Sequence, residues 1–433
     1  MKQTAQRIFQ KTLAAIDIRA TLTRKIARDG SRIRAGNLTV DLRDYSEIAA
    51  IAFGKAAFAM AQGLREILPG ETPVDGILVV PSGPSQPLPG WTTFIGGHPL
   101  PNAQSFEAGR AILERLARCT EKTLIFFLLS GGGSALVEQP LEPDVTLEDF
   151  RALNSALVTC GAPIEEINVV RKHLSAIKGG RLAAAAPRSM KLTFAISDVP
   201  EGEESALASG PTLPDPSTIA DTERIVSRYN LRVKLPPAIR RIFDEHRLHE
   251  TPKQDDAAFA RSHFELLLGE RELLHNAHHA CEAEGYVCVC DTSADNWPFE
   301  KAADHLLALL AAQKKTNPDR HVAVLADGEV INPITGDGVG GRNSAFVLAC
   351  VPKIADRNIT VLSAGTDGID GNSPAAGAIA DGQSLARAKT AGLHPVEFLR
   401  RSDAYNFFAR LGDAIITGPT GNNLRDLRIL LAD

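Results

Sequence analysis

Short apolar runs that alternate with amphipathic helical segments are the feature that most constrains the fold of this chain. The run EIAAIAF ends at Phe53 and is followed by a glycine turn and a segment whose apolar residues recur at helical spacing. GILVV (Gly76–Val80) and KTLIFFLLS (Lys122–Ser130) repeat the pattern, with a helical segment between them. Apolar strands that alternate with helices are typical of a parallel sheet covered on both faces. We therefore predict an α/β fold.

The alternation is interrupted between about Leu235 and His263, where the sequence becomes polar and contains prolines. Beyond this segment the apolar runs YVCVC, HVAVLA and ITVLSAG again alternate with helical segments. We therefore predict two α/β domains, residues 1–245 and residues 246–433. The last stretch, from Gly418 to Asp433, could pair with either of them.

Charge and hydropathy argue against two classes of partner. Lys and Arg total 47 and Asp and Glu total 52, spread along the chain, so the net charge is −5 and no basic stripe for nucleic acid or an anionic membrane is present. No apolar run approaches the length that spans a bilayer. We expect small-molecule partners, no nucleic acid and no membrane, and the sequence leaves open whether the protein is a monomer or a homodimer.

The six cysteines are sparse for 433 residues and lie mostly inside apolar runs. This placement favours buried thiols in a reducing compartment over disulfides or a zinc site. The N-terminal segment is basic and amphipathic but lacks the apolar core of a secretory signal, so we interpret it as an ordinary first helix. We expect a cytoplasmic protein.

Three consecutive glycines follow the third apolar run in LLSGGGSAL. A glycine loop between a strand and a helix lets an anion approach backbone N–H groups at the positive end of the helix dipole. Three glycines flanked by two hydroxyls exceed the need of a tight turn. We predict that this loop binds a phosphate or a carboxylate through Ser130, Gly131, Gly132, Gly133 and Ser134.

A second glycine-rich loop, GDGVGGRN, contains G-x-G-x-x-G through Gly336, Gly338 and Gly341. The preceding VINPIT is short and interrupted by proline, which argues against a dinucleotide-binding turn. The chain also lacks G-x-x-x-x-G-K-[ST], so a P-loop is absent. We predict that Gly338, Gly340 and Gly341 approach an anionic cofactor and that Arg342, at the loop-to-helix junction, grips phosphate oxygens.

Other charged residues lie at positions typical of a ligand site in an α/β sheet. Lys55 follows Gly54 at the end of the first apolar run, although spacing alone does not separate a phosphate contact from a lysine that only extends along a strand end. Arg171 and Lys178 lie on a short helix and the turn after it, where a solvated basic face is the ordinary explanation. His98, in GGHPLPN, is either a substrate contact or a turn residue.

Two aspartates follow predicted strands: Asp198 comes after LTFAIS, and Asp367 comes after ITVLSAG. Carboxylates at strand ends can hold Mg²⁺ together with water ligands. We therefore predict that Asp198 and Asp367 serve as magnesium ligands or as a general base. For Asp370 we favour a turn-forming role in an Asp-Gly pair.

The motifs occur together in an order that resembles the class II glycerate kinases. GKAA, GGHPLPN, LLSGGGSALV, INVVRKHLSAIKGGRLA and SDVPEGEESALASGPTLPDPST come first. GDGVGGRN, SAGTDGIDG, AAGAIADG and TGPTGNNLRDL follow, and the C-terminal part is similar to the MOFRL domain of that family. The resemblance covers nearly the whole chain. It implies an active-site cleft between two α/β domains, the first of them a Rossmann-like parallel sheet flanked by helices.

The resemblance implies ATP- and Mg²⁺-dependent transfer of a phosphoryl group to the 2-hydroxyl of D-glycerate, with catalytic roles for Lys55 and Arg342. We expect the first glycine loop to cradle phosphate, and Arg171 or Lys178 to bind the glycerate carboxylate, with His98 as a further substrate contact. Closure of the two domains would assemble the site. The chain carries Asn102 in GGHPLPN where many relatives have Asp, a departure that bears on substrate preference rather than on reaction class.

Two other functions are compatible with the same residues. An NAD(P)H-dependent hydroxypyruvate reductase acts on the same carbon skeleton, and its support is the G-x-G-x-x-G loop alone. A non-catalytic protein that binds small anions would bind ATP or glycerate without turnover.

Overall fold

The structure, a computed structural model, describes the whole chain except residues 69, 71, 84, 85, 198, 200, 201 and 423 and the side chain of Glu270. The chain forms two compact units. The N-terminal unit is Ile18–Leu267, and the C-terminal unit consists of Met1–Asp17 together with Leu268–Asp433. Among the described residues, no helix has the length and apolar character required to cross a bilayer.

The helices and strands are numbered in chain order. The helices are α1 (Lys2–Ala15), α2 (Ile18–Lys25), α3 (Ala57–Ile67), α4 (Ala103–Ala117), α5 (Gly133–Leu136), α6 (Leu147–Val158), α7 (Ile164–Leu174), α8 (Arg181–Ala184), α9 (Ile219–Arg228), α10 (Pro237–Asp244), α11 (Glu270–Glu282), α12 (Phe299–Thr316), α13 (Arg342–Cys350), α14 (Ser384–Thr390), α15 (Pro395–Arg400) and α16 (Ala404–Leu411). The strands are β1 (Ile26–Asp29), β2 (Arg32–Ala35), β3 (Leu38–Asp41), β4 (Glu47–Phe53), β5 (Val74–Val80), β6 (Trp91–Ile95), β7 (Thr123–Ser130), β8 (Met190–Ile196), β9 (Ser262–Leu268), β10 (Val287–Asp291), β11 (Val322–Ala326), β12 (Ile359–Gly365), β13 (Gly377–Asp381), β14 (Ala414–Ile415) and β15 (Asp426–Ala432).

The main sheet of the N-terminal unit has the strand order β6-β5-β4-β7-β8-β9, and the pairs from β6 to β8 are parallel. Every residue of β7 is buried, as expected for a strand covered on both faces. Phe53 of β4 pairs with Leu129 of β7, and Ser130 pairs with Ile196 of β8. The carboxyl ends of β4, β7 and β8 therefore meet at one edge of the sheet, which confirms the predicted parallel α/β architecture.

Side-chain caps fix where several of the surrounding helices begin. Asn102 accepts a hydrogen bond from the backbone N–H of Ser105 at 2.9 Å and starts α4, while Thr146 caps α6 through the N–H of Asp149 at 3.2 Å. Asn102, noted as a departure from the family pattern, therefore performs the capping role that aspartate would also perform.

The sheet of the C-terminal unit has the order β10-β11-β15-β12-β13-β14 and is mixed. β10 and β11 are parallel, whereas β15 runs antiparallel to both of its neighbours, β11 and β12. Asp426 pairs with Gly365, and Arg428 pairs with Ala326. The first residues of β15 therefore lie where β11 and β12 end, so the last stretch of the chain, whose partner the sequence left open, belongs to this unit.

The N-terminal unit ends at Leu267 rather than at the predicted boundary, residue 245. The strand β9 (Ser262–Leu268) lies beyond that boundary but borders β8 in the first sheet. The predicted polar segment, which ended at about His263, reaches only the start of this strand. Helix α1 packs on α11 and β12 and belongs to the C-terminal unit.

Candidate active site

Lys55 lies at the carboxyl edge of the first sheet, in the turn between β4 and α3. Gly54 adopts φ +126°, and a Cβ atom there would lie 2.1 Å from Ser130 Oγ, so this position requires glycine. The backbone N–H of Lys55 donates to the carbonyl oxygen of Gly131 at 3.0 Å. This hydrogen bond holds the turn at Lys55 against the first glycine loop.

The loop Ser130–Ser134 has its own structural reasons for glycine. Gly132 is left-handed at φ +82°, and a Cβ atom there would lie 3.3 Å from His98 Cδ2 and 3.4 Å from Lys55 Cγ. A Cβ atom on Gly133 would lie 2.9 Å from Phe53 Cδ2. Close packing of the loop therefore accounts for two of the three glycines, and it brings together three sequence-predicted residues, Lys55, Gly132 and His98.

The two serines that flank the glycines are already engaged within the protein. Ser130 is buried, and its hydroxyl accepts a hydrogen bond from the N–H of Ala56 at 2.9 Å. Ser134 Oγ lies 2.8 Å from Ser209 Oγ. The helix that follows, α5, is a single turn, so the helix dipole at this loop is small.

Lys178 is a buried cation and does not face solvent. Its side chain is 1% exposed and forms an ion pair with Glu138, which also accepts a hydrogen bond from Ser175 Oγ at 2.5 Å. Burial lowers the pKa of Lys178, and the Glu138 carboxylate opposes that effect. Arg171 is partly buried, donates from Nε to Asn154 Oδ1 at 2.9 Å, and has a pKa lowered by burial. Both cations have structural partners that the sequence did not indicate.

The two predicted metal-binding aspartates differ in how far the structure describes them. Asp198 lies outside the described residues. Asp367 follows β12 and accepts a hydrogen bond from the N–H of Ile369 at 3.0 Å. A Cβ atom on Gly365 would lie 2.9 Å from Asp367 Oδ1 and 3.4 Å from Asp426 Oδ1, which places both carboxylates at the same sheet edge.

The second glycine loop uses its backbone donors inside the C-terminal unit. Gly338 N–H donates to the carbonyl oxygen of Arg401 at 3.0 Å, Gly340 N–H to Asn372 Oδ1 at 2.9 Å, and Gly341 N–H to Ser344 Oγ at 3.2 Å. These three glycines, predicted to approach a cofactor, therefore have their N–H groups committed to protein acceptors in this structure.

An aspartate of the chain lies at the N-terminus of α13. Asp370 is buried, and its two carboxylate oxygens accept from the N–H groups of Asn343 and Ser344, each at 2.9 Å. Burial raises the pKa of Asp370 to about 6, against the lowering effect of these hydrogen bonds. The anion-binding position at this helix end is therefore filled by the chain itself, and the turn role predicted for Asp370 is extended to helix capping.

Arg342, the first residue of α13, is held by two carboxylates. Its Nε donates to Asp426 Oδ2 at 2.5 Å, its Nη2 to Asp426 Oδ1 at 3.3 Å, and its Nη1 to Glu329 Oε2 at 2.5 Å. Burial lowers the pKa of Arg342, but the negative charges of Asp426 and Glu329 outweigh that effect and raise the pKa above its ordinary value. The guanidinium is therefore a permanent, oriented positive charge.

The same edge contains two more arginines. Arg425 pairs with Asp327 at 3.2 Å and with Asp295, and Arg428 donates from Nη1 to the carbonyl oxygens of Asp327 and Gly328, each at 3.1 Å. Arg428 Nη2 lies 3.8 Å from Asp426 Oδ2. Together with Arg342 and Glu329, these groups form a network of three arginines and four carboxylates, which we call the arginine network.

Most residues of the arginine network were not predicted from the sequence. Asp327 directly follows the apolar run HVAVLA, and Glu329 lies two residues later, a strand-end signal of the kind that identified Asp367. Asp426, Arg425 and Arg428 had no such signal, because the sequence did not show that β15 enters the sheet between β11 and β12.

The structure is an α/β protein with a lysine beside a glycine loop at the carboxyl edge of one sheet and an oriented arginine at an edge of the other. Strand-end positions of this kind commonly face the ligand in α/β proteins. Comparison with known proteins gives the family. Residues 4–244 match the family described as "Domain of unknown function (DUF4147)", and residues 322–426 match the MOFRL family.

The D-glycerate 2-kinase of Thermotoga maritima is 34% identical over 400 residues, which cover 92% of this chain and 93% of the relative. A protein of Agrobacterium vitis, named provisionally as a hydroxypyruvate reductase, is 36% identical over 386 residues, 88% of this chain and 98% of the relative. The crystal structure of a glycerate kinase from Thermotoga maritima superposes with a TM-score of 0.83 at 30% identity and covers 100% of this chain and 99% of that chain. The chain belongs to the class II glycerate kinase family, which carries the MOFRL domain.

Proposed function

We propose that this protein transfers the γ-phosphoryl group of ATP to the 2-hydroxyl of D-glycerate, giving 2-phosphoglycerate and ADP. The hydroxyl oxygen forms the new bond to phosphorus, the bond to the bridging oxygen of ADP breaks, and the hydroxyl proton leaves to water or a base. The observation that carries the proposal is similarity along nearly the whole chain to a relative named D-glycerate 2-kinase.

Lys55 is proposed to neutralise charge on the transferring group. Its position beside Gly132, which also lies close to His98, would let a point charge meet a phosphate that approaches the carboxyl edge of the first sheet. The surrounding backbone is fixed by the hydrogen bond from Lys55 N–H to Gly131, so little reorganisation would be needed when the ligand binds.

Arg342 is proposed to stabilise negative charge that develops during phosphoryl transfer. Asp426 holds the Nε and Nη2 side of the guanidinium and thereby fixes its plane. A planar donor group of fixed orientation matches the geometry of phosphate oxygens better than a flexible cation does.

Mg²⁺ is proposed to accompany ATP. Among the described residues, no three His, Cys, Asp or Glu side chains are grouped as a metal site. An ion that is bound chiefly by phosphates and water needs only one or two carboxylates, and Asp367, at the same edge as Asp426, fits that requirement. When bound, Mg²⁺ would neutralise charge on the β- and γ-phosphates. We propose the same role for Asp198.

A hydroxypyruvate reductase is the second candidate, because relatives from Agrobacterium vitis carry that name. Its sequence support, the G-x-G-x-x-G loop, is weakened by the hydrogen bonds of Gly338, Gly340 and Gly341 to protein acceptors. A dinucleotide site of that type needs such backbone donors for the pyrophosphate. We therefore favour the kinase.

The protein is proposed to act in the cytoplasm, since its six cysteines are free thiols in the structure.

Phosphorus NMR of the purified protein with D-glycerate, ATP and Mg²⁺ tests the proposal. We expect a new phosphomonoester signal that disappears when any one component is omitted. Phosphate on carbon 2 couples to one proton and gives a doublet, whereas phosphate on carbon 3 couples to two protons and gives a triplet. Folded protein that gives no signal would contradict the kinase, and NADH oxidation with hydroxypyruvate would then support the reductase. ATP or glycerate binding without turnover would indicate the non-catalytic alternative.

A further inference from the structure

The two carboxylates that hold Arg342 differ in their environment. The side chain of Asp426 is 4% exposed, and the side chain of Glu329 is 41% exposed. Asp426 contacts two guanidinium nitrogens of Arg342 and also lies 3.8 Å from Arg428. Asp426 is thus a buried anchor, whereas Glu329 covers the remaining nitrogen, Nη1, from the solvent side.

Glu329 can release Arg342 without a movement of its backbone. Its N–H donates to Asp295 Oδ1 at 2.7 Å, and its carbonyl oxygen accepts from Asn296 N–H at 2.9 Å. The preceding Gly328 has φ +99°, and a Cβ atom there would lie 2.8 Å from Asp295 Oδ1. The main chain at Glu329 is therefore held on both sides, so the movement that uncovers Arg342 Nη1 would be a change of side-chain rotamer.

The charge balance favours exchange with an anion. Among the described residues, the arginine network holds three positive and four negative groups, so a further anion at Arg342 would add to a net negative set of side chains while Glu329 stays in place. A phosphate that displaces the Glu329 carboxylate preserves the ion pair at Nη1 and avoids placing two anions at one donor.

We propose that Glu329 is an exchangeable positioning residue: its carboxylate pairs with Arg342 Nη1, and a phosphate group of the substrate replaces it there on binding. This inference rests on the proposed function only in assigning that phosphate to ATP. The Glu329 carboxylate would then compete with polyphosphate for Arg342 and lower the affinity of the C-terminal unit for it. Asp426 would hold Arg342 in place before and after the exchange.

The test is calorimetric binding of sodium tripolyphosphate to the full chain at low ionic strength, which requires no turnover. We expect Glu329→Gln to bind tripolyphosphate about two- to fivefold more tightly than the unmodified protein, the range expected for loss of a competing ion pair that is partly exposed. Glu300→Gln removes an exposed carboxylate from the first turn of α12 in the same unit and serves as the matched control, with unchanged affinity expected.

A second comparison separates exchange at Arg342 from a general effect of net charge. In an Arg342→Gln background, Glu329→Gln should no longer improve tripolyphosphate binding, because the guanidinium for which Glu329 and phosphate compete has been removed. Equal or weaker binding by Glu329→Gln, an equal gain in Glu300→Gln, a gain that persists without Arg342, or no binding by the unmodified protein would each overturn the inference. If the binding results hold while the NMR assay shows no phosphorylation, the exchange stands and the kinase assignment fails.

Discussion

Arg342 and Asp426 face each other with the Nε and Nη2 atoms of the arginine both directed at one buried carboxylate, at 2.5 and 3.3 Å. The two residues are far apart in the sequence, and β15 brings them together by entering the sheet beside β11 and β12. The pair orients a cation whose plane is set by the protein rather than by the ligand.

Replacing Arg342 by lysine should lower kcat/KM for glycerate phosphorylation by about a hundredfold, because the lysine keeps the charge but loses the oriented fork. Steady-state kinetics with ATP and D-glycerate measure this effect. Arg320→Ala, which removes an exposed arginine of the same unit, is the control and should leave the rate unchanged. Near-normal turnover by Arg342→Lys would show that no bidentate contact is made.

Lys55→Met should also lower kcat/KM by roughly a hundredfold, since it removes a positive charge from the carboxyl edge of the first sheet. Lys234→Met removes an exposed lysine of the N-terminal unit and should have no effect on the same assay. Circular dichroism should show both variants folded. Full activity in Lys55→Met would contradict the role given to this lysine.

The buried ion pair of Lys178 and Glu138 predicts a loss of stability rather than a change in substrate binding. Glu138→Gln leaves the Lys178 ammonium buried without its counter-charge and should lower the free energy of unfolding by about 3 to 5 kcal/mol. Urea denaturation measures the loss. If Lys178 instead binds the glycerate carboxylate, as the sequence suggested, Lys178→Met would raise KM for glycerate while leaving stability nearly unchanged.

Asp370 predicts a pH dependence of stability. Its pKa is raised to about 6 in the folded protein, above the ordinary aspartate value, so between about pH 4 and 6 the folded state binds more protons than the unfolded state. Its contribution to stability is therefore greatest below this range and is lost as the pH rises through 6. The loss is on the order of 3 kcal/mol.

Asp370→Asn removes this titration. The melting temperature of the unmodified protein, relative to that of the variant, should increase when the pH falls from 7 to 5. A difference in melting temperature that is the same at both pH values would show that Asp370 has an ordinary pKa.

The sequence predicted those elements whose pattern is local. β4 and β7 are continuous apolar runs, and the structure confirms both of them together with α4 and α7. The small sheet of β1, β2 and β3 was missed because its strands are short and only alternate residues, such as Ile33 and Ala35, are buried. β9 was missed because it begins at the end of the polar segment, and none of its first five residues is fully buried.

In the candidate site, too, the residues with a local sequence signature were predicted and their distant partners were not. Lys55, the glycine loop and His98 each have a local signature, and the structure brings them together. The partners of the predicted cations have none, since Glu138 lies 40 residues from Lys178 and Asp426 lies 84 residues from Arg342. Pairings of this kind depend on which strands become neighbours, and a single sequence does not contain that information in local form.

The central position of β15 also determines the order in which the polypeptide can acquire its structure during synthesis. The N-terminal unit is complete once Leu267 has emerged from the ribosome, and it can fold while the rest is still being translated. The sheet of the C-terminal unit remains in two pieces, β10-β11 and β12-β13-β14, until Ala432 has emerged. A nascent chain that stalls before Asp426 would therefore expose two unpaired strand edges, on which strands of other chains can pair.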